Sequence, residues 1–384
     1  MSPFAAQIEQ EIFIVPSLEL ECGAVLKQAP VAYKTWGKLN GAKDNVMVIC
    51  HSFSGDADAG SWWGTLMGPN KAFDTNRFFI FCANALGSPY GSASPVTTNP
   101  DTGKPYGPSF PQTTIRDDVR IHKLVLDALS VRSVAVALGG SMGGMASLEW
   151  PLCSPPGYVK CIIPIATCAR HSAWGIGWGE VQRQAIYGDP RYGDGWYTEQ
   201  PASGLAAARL AATLTYGSRD SFENRFGRST VGVIGKGDGT DGQDATYTPR
   251  QPFSAQAHLH EEGEKFVKRF DANCYIHITH KLDTHDIARG RVSDPLSPSA
   301  LPTVLATLPE RSMVISMAGD TMFPNSEQKE IADGIKGGVL ATVPTLEGHD
   351  GFLLEVEAVS ECVGEFLRKE FGELYVGEGE GEEP

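Results

Sequence analysis

Three side chains far apart in the chain, Ser141, Asp320 and His349, could together perform nucleophilic acyl chemistry. A serine hydroxyl is a poor nucleophile at neutral pH. It needs a base to take its proton and an acid to orient that base. Ser141 lies in Gly139-Gly140-Ser141-Met142-Gly143-Gly144-Met145, which contains a G-x-S-x-G pentapeptide. The pentapeptide alone is a weak signal, but its surroundings strengthen it. Residues 133–138 (Ser-Val-Ala-Val-Ala-Leu) read as a buried strand and residues 146–150 read as a helix. The serine therefore falls on a strand-to-helix turn that lifts its hydroxyl above a sheet. Such a turn crowds its neighbours, which accounts for Gly139 and Gly143, while Gly144 lets the helix pack close.

This architecture places the residues in the chain order serine, acid, histidine. Ser316-Met317-Ala318-Gly319-Asp320 ends one apolar run with an acid, and Glu347-Gly348-His349-Asp350 follows the last run. Both sit at the carboxyl ends of strands, where α/β sites form. The expected roles are Ser141 as nucleophile, His349 as base and Asp320 as orienting acid. The tetrahedral oxyanion needs two backbone donors. They are expected at Met142, just after the nucleophile, and at Phe53 in His51-Ser52-Phe53-Ser54-Gly55, with His51 ordering that loop.

The elements that must carry these residues are legible as apolar runs. Residues 13–20 and 24–36 alternate and suggest an antiparallel pair joined at Cys22-Gly23. Buried strands are expected at 46–50, 78–82, 133–138, 161–166, 312–318 and 339–343, with a helix over 115–129. Strands separated by helices imply a mostly parallel α/β sheet. Residues 169–301 show no convincing strand and read as a helical insertion that would lie as a lid over the site. The expected organisation is a core of residues 1–168 and 302–372, the lid, a mobile Gly/Asp-rich loop at 235–252, and an acidic disordered tail at 373–384.

Composition narrows the function further. The chain has 384 residues and a net charge of −14, which argues against nucleic acid or an anionic membrane as main partner. No run approaches the roughly 20 apolar residues that span a bilayer. The N-terminus has no secretory pattern, and the eight cysteines form no C-x-x-C pair, which fits a reducing, cytoplasmic setting. His258, His260, His277, His280 and His285 match no zinc spacing, so no metal is expected. No P-loop or dinucleotide fingerprint is present, so no bound cofactor is expected.

With the three site residues placed, the chain resembles the homoserine O-acetyltransferase family, which includes fungal deacetylcephalosporin C acetyltransferase. The resemblance runs from about residue 12 to 368. It rests on the elbow with Leu148-Glu149-Trp150, on Trp62-Trp63, on Gly87-Ser88-Pro89-Tyr90-Gly91-Ser92 and on Thr102-Gly103-Lys104-Pro105-Tyr106-Gly107. Thr114-Ile115-Arg116-Asp117, Arg269-Phe270-Asp271, His285-Asp286, Arg289-Gly290-Arg291, Gly348-His349-Asp350 and Phe352-Leu353 complete it. Residues 170–189 look most like the fungal branch. The resemblance implies an α/β-hydrolase fold, an acetyl-CoA donor, a ping-pong path through acetyl-Ser141, and L-homoserine as acceptor in methionine biosynthesis. It also implies a homodimer joined through the lid, with Arg209 and Tyr216 holding the acceptor carboxylate and Asp350 its ammonium group. The i, i+7 spacing of Arg209 and Tyr216 puts both on one helix face. Three departures bear on the acceptor. Phe53 and its neighbours replace a usual His-Ala-Leu-Thr-Gly, Gly217 replaces a basic residue, and His258-Leu259-His260-Glu261-Glu262 replaces Tyr-Leu-x-Tyr-Gln. These point to an alternative acceptor, such as serine or a secondary-metabolite hydroxyl. The same three catalytic groups would also serve an esterase or thioesterase.

Overall fold

The computed structural model describes residues 3–231 and 253–375. The loop expected at 235–252 lies outside the described residues, as does the tail beyond Tyr375. Glu373 to Tyr375 are a correction to the disordered tail. Gly372–Leu374 form a 3-10 turn, and the Arg77 guanidinium sits 4.5 Å over the Tyr375 ring.

Eight strands form one sheet: β1 (Glu11–Glu19), β2 (Val25–Trp36), β3 (Val46–Cys50), β4 (Phe79–Ala83), β5 (Val134–Gly140), β6 (Cys161–Ile165), β7 (Arg311–Met317) and β8 (Val339–Val343). Their order across the sheet is β1-β2-β4-β3-β5-β6-β7-β8. The pairings β1–β2 and β2–β4 are antiparallel and all the others are parallel. The turn between β1 and β2 contains Gly23 at φ +83°, a conformation glycine adopts without a side-chain penalty. Strands β3, β5 and β6 are buried along their whole length, which is why they read as unbroken apolar runs. Alternate residues of β3 serve opposite faces. Met47 and Ile49 pack with Trp63 and Phe73, whereas Val48 and Cys50 pack with Val119 and Trp150.

The main helices are α1 (Ile115–Ala128), α2 (Met142–Leu152), α3 (Ala173–Tyr187), α4 (Ala202–Tyr216), α5 (Arg219–Arg225), α6 (Ser254–Val267), α7 (Ala272–Asp283), α8 (Asn325–Gly334) and α9 (Val356–Glu370). A capping box opens α1: the Thr114 side chain accepts from the Asp117 amide while the Asp117 carboxylate accepts from the Thr114 amide. The helix after the elbow starts at Met142, four residues earlier than the apolar pattern indicates, because the turn feeds straight into it. Between β6 and β7 the described residues contain helices α3 to α7 and no sheet strand.

A third apolar cluster sits where these helices meet the strand ends. Phe53 lies 4.7 Å edge-on to Tyr275, and Phe266 stacks on Phe270 at 4.9 Å. A buried ion pair adds a directional tie: Lys281 of α7 meets both Asp118 oxygens of α1 at 2.7 and 2.6 Å. The same ammonium donates to the Leu86 carbonyl at 2.6 Å. Burial pushes the Asp118 carboxyl up and the Lys281 ammonium down, and each charge counters the shift of the other. Among the described residues, no helix is long and apolar enough to cross a membrane.

Candidate active site

Ser141 joins β5 to α2 in a backbone conformation that non-glycine residues seldom adopt, φ +59° and ψ −124°. Holding a serine there costs on the order of 1–3 kcal/mol. Four hydrogen bonds maintain it: the Ser141 amide donates to Ile165 O at 2.9 Å, and the Gly144 amide, the Met145 amide and the Thr167 hydroxyl donate to Ser141 O at 2.9, 3.1 and 2.8 Å. The flanking glycine is a steric requirement. A Cβ on Gly143 would lie 2.0 Å from the Cys50 carbonyl oxygen.

The structure brings Ser141, His349 and Asp320 into one hydrogen-bonded chain. The Ser141 Oγ to His349 Nε2 distance is 2.9 Å, and His349 Nδ1 to Asp320 Oδ2 is 2.8 Å. The other Asp320 oxygen accepts from the Met322 and Phe323 amides at 2.8 and 2.9 Å. A carboxylate held this way accepts the Nδ1 proton and leaves Nε2 free to take the serine proton. Burial opposes charge on the His349 ring, but the Asp320 carboxylate, its hydrogen bond and Asp350 outweigh it, so the pKa is raised.

Phe53 lies in the turn after β3, beside the elbow. Among the described residues, the amides of Phe53 and Met142 donate to no backbone carbonyl. Two such unspent donors near a nucleophile suit a developing oxyanion. His51 orders this turn. The Ala85 amide donates to its Nε2 at 2.9 Å, which leaves Nδ1–H to donate to Ser52 O at 2.7 Å. Burial pushes its pKa down to about 4, so the ring is neutral. A residue the sequence reading left without a role, Arg269, clamps the same turn by donating to Ser54 O at 3.0 Å and to the Tyr90 hydroxyl at 3.1 Å. No spacing rule links Arg269 to a loop more than two hundred residues earlier.

Arg209 and Tyr216 share one face of α4. The Arg209 guanidinium lies 5.6 Å from the Tyr216 ring and 5.0 Å from the Phe266 ring. Among the described residues it makes no ion pair within 4 Å, and its Nε is buried without a hydrogen-bond partner. The Tyr216 ring stands 5.9 Å from the His349 ring. Asp350 follows His349 directly. Burial pushes its carboxyl up, while His349 and Arg209 oppose the shift. Helix α5 braces this corner, since Ser218 donates to Leu346 O and Ser221 donates to Glu347 at 2.6 Å. Gly217 abuts the same turn: a Cβ on Gly348 would come within 3.2 Å of the Gly217 carbonyl carbon. His258 instead packs against the rings at the end of α5, 4.9 Å from Phe226 and 6.3 Å from Phe222.

The remaining histidines are dispersed. His277 hydrogen-bonds Thr113 at 2.7 Å and His285 faces Cys168 O at 3.1 Å. Among the described residues no group of three His, Cys, Asp or Glu is placed to hold a metal ion. Ser141 and His349 open onto a cavity of about 40 Å³, bounded by Phe53, Tyr216 and Phe323 and by residues of α3 and α7.

Comparison with known proteins gives this geometry a family. The α/β-hydrolase fold family model matches residues 45–356. The homoserine O-acetyltransferase of Cryptococcus neoformans var. grubii is 44% identical, covering 97% of this chain and 91% of the relative. That of Saccharomyces cerevisiae is 45% identical, covering 94% and 86%. Among solved structures, esterase E22 superposes with a TM-score of 0.81 at 26% identity, covering 94% of this chain and 99% of that one. Homoserine O-acetyltransferase from Bacillus anthracis superposes with a TM-score of 0.82 at 24% identity, covering 94% and 97%, a likeness of fold. On these relatives and this fold, the chain belongs to the homoserine O-acetyltransferase family of α/β-hydrolase-fold proteins.

Proposed function

We propose that the protein transfers an acetyl group from acetyl-CoA to the hydroxyl of L-homoserine through an acetyl ester on Ser141, a step of methionine biosynthesis. His349 Nε2 takes the Ser141 proton as Oγ attacks the thioester carbonyl. The Phe53 and Met142 amides stabilise the oxyanion, the C–S bond breaks, and CoA leaves with the proton from His349. His349 then deprotonates the acceptor hydroxyl, which attacks the acetyl-serine. Collapse of the second oxyanion releases the acetyl ester and returns the proton to Ser141.

The observation that carries the acceptor assignment is the Arg209 guanidinium beside Tyr216, which makes no ion pair among the described residues and whose charge reaches the Asp350 carboxylate. A half-buried guanidinium whose Nε has no hydrogen-bond partner is completed when a ligand supplies an anion. An α-amino acid brings a carboxylate for Arg209 and an ammonium group for Asp350, and its side-chain hydroxyl then faces His349. Helices α3 to α7 act as the lid that excludes water during the second half-reaction. By the same family reasoning the protein is a cytoplasmic homodimer that joins through lid helices and binds acetyl-CoA and a small hydroxyl acceptor, without a resident cofactor.

Thiol release from acetyl-CoA, with and without L-homoserine and with mass spectrometry of the products, tests the reading. Homoserine-dependent release with O-acetylhomoserine formed supports it. Equal release without any acceptor supports hydrolysis instead, the reading favoured by the likeness to esterase E22. A stable acetyl-enzyme that homoserine does not discharge supports another acceptor alcohol, with Phe53 and Gly217 as the residues responsible.

A further inference from the structure

The cavity at Ser141 has an outer neighbour. A surface groove of about 490 Å³ lies beyond the C-terminal end of α7, bordered by Thr284 and Arg170, and it shares two wall residues with the inner cavity, His171 and Asp283. Together with Trp178 these two residues line the nucleophile's cavity. Among the described residues, three buried polar atoms of this wall have no hydrogen-bond partner: His171 Nδ1, Trp178 Nε1 and Asp283 Oδ1. Buried polar atoms are ordinarily paired, so a cluster of orphans on one wall marks a place where a ligand completes the bonding. His171 is itself only 8% exposed.

The chemistry of the orphans is specific. Trp178 Nε1–H can only donate, the Asp283 carboxylate can only accept, and a neutral His171 ring can do either. That pairing complements a secondary amide, which offers one C=O and one N–H. Two positions of this wall carry no side chain. Gly175 and Gly179 of α3 line the cavity, and a Cβ on Gly179 would already stand 3.4 Å from Asp283 Oδ1. Asp283 is held in place from the other side by Arg183, at 2.9 Å.

We propose that the His171–Trp178–Asp283 wall between α3 and α7 is the passage for the amide-bearing pantetheine arm of the acyl donor, with Trp178 donating to an amide carbonyl and Asp283 accepting an amide N–H. This rests on the acetyl-CoA reading above and adds the residues that would read the donor. On the reading above the acceptor is held by Arg209 and Asp350, so the two substrates are recognised by separate side chains around one serine.

The test compares three acetyl donors on the full-length protein: acetyl-CoA, S-acetylpantetheine and p-nitrophenyl acetate, which has no amide. Trp178→Phe removes the donor and keeps the ring. The ratio of kcat/KM for either thioester to that for p-nitrophenyl acetate should fall about five- to tenfold, through KM, as expected for one lost hydrogen bond. Gly179→Val, which narrows the passage, should lower the same ratio further. An equal change for all three donors, or none for any, overturns the passage. Failure of both thioesters on the parent protein while p-nitrophenyl acetate still acetylates Ser141 overturns the acetyl-CoA reading and this inference with it. Thioester turnover that Trp178→Phe leaves untouched overturns the inference alone.

Discussion

Replacing Arg209 with methionine isolates acceptor binding from the chemistry at Ser141. Methionine keeps the length of the stem and its packing on Phe266 and Tyr216 but removes the charge. Among the described residues Arg209 makes no ion pair within 4 Å, so no direct salt bridge of the fold is broken, and the acid that loses its influence is Asp350 at the site itself. An incoming carboxylate about 4 Å from the guanidinium gains on the order of 4 kcal/mol at an effective dielectric near 20. That is about a thousandfold in kcat/KM for homoserine. A second effect acts in the same direction. Arg209 helps hold down the Asp350 pKa, and without it burial pushes that carboxyl further up and weakens its grip on the ammonium group. Stopped-flow release of CoA reads acetylation, and acceptor titration reads the second half-reaction. The acetylation burst should persist while homoserine discharge falls by about two to three orders of magnitude. Unchanged homoserine kinetics would refute the reasoning. So would a burst that collapses in step with turnover, because the arginine would then serve the serine rather than the acceptor.

The His349 pKa is raised, so kcat/KM should climb with pH through a value above 6.5, where the ring becomes the free base. Asp320→Asn removes the carboxylate that raises it, which should move that limb downward and cut the rate by about 10⁴; a pH–rate profile with an unmoved limb contradicts the assignment. In stability the same sign holds: the protonated ring's contribution is full below its unfolded pKa and fades as pH rises through the folded value. Lys281→Met leaves Asp118 buried without its partner and should cost about 3–5 kcal/mol in urea unfolding, whereas Lys281→Met with Asp118→Leu should recover much of it. Equal losses in the single and double variants would mean that the pair contributes packing alone. Gly143→Ala forces a Cβ into the Cys50 carbonyl, so the soluble yield or the Ser141 acetylation rate should collapse; a fully active variant would show that the elbow yields more readily than its geometry indicates.

Several parts of this molecule could be read without coordinates. The buried central strands are legible because both faces of a parallel sheet are covered, which forces unbroken apolar runs at 46–50, 134–140 and 161–165. Ser141 is legible because so tight a turn needs glycines around it. Asp320 and His349 follow from strand ends and chain order, and Phe53 and Met142 from where the turn must lie. Helices α8 and α9 escaped notice. Their buried stripes, such as Val359, Val363, Phe366 and Leu367, are embedded among acidic and basic residues that mask the period. The short helix Ala59–Trp62 and the two-residue pairing of Met67–Gly68 with Phe73–Asp74 are too brief to leave a pattern.

Local spacing by itself determined which residues are chemically competent: a serine that only a glycine-flanked turn tolerates, an acid and a histidine at strand ends, and an arginine and a tyrosine two helical turns apart. Tertiary structure alone decided how they are used. That Arg209 makes no ion pair among the described residues, that Arg269 clamps the Phe53 turn, and that Lys281 ties α7 to α1 through Asp118 all depend on contacts between residues more than a hundred positions apart or on the absence of one. The same holds for the unsatisfied wall of His171, Trp178 and Asp283. Periodicity encodes which face of an element is apolar. It carries no record of which distant backbone or charge that face will meet, because that is settled only when the layers pack.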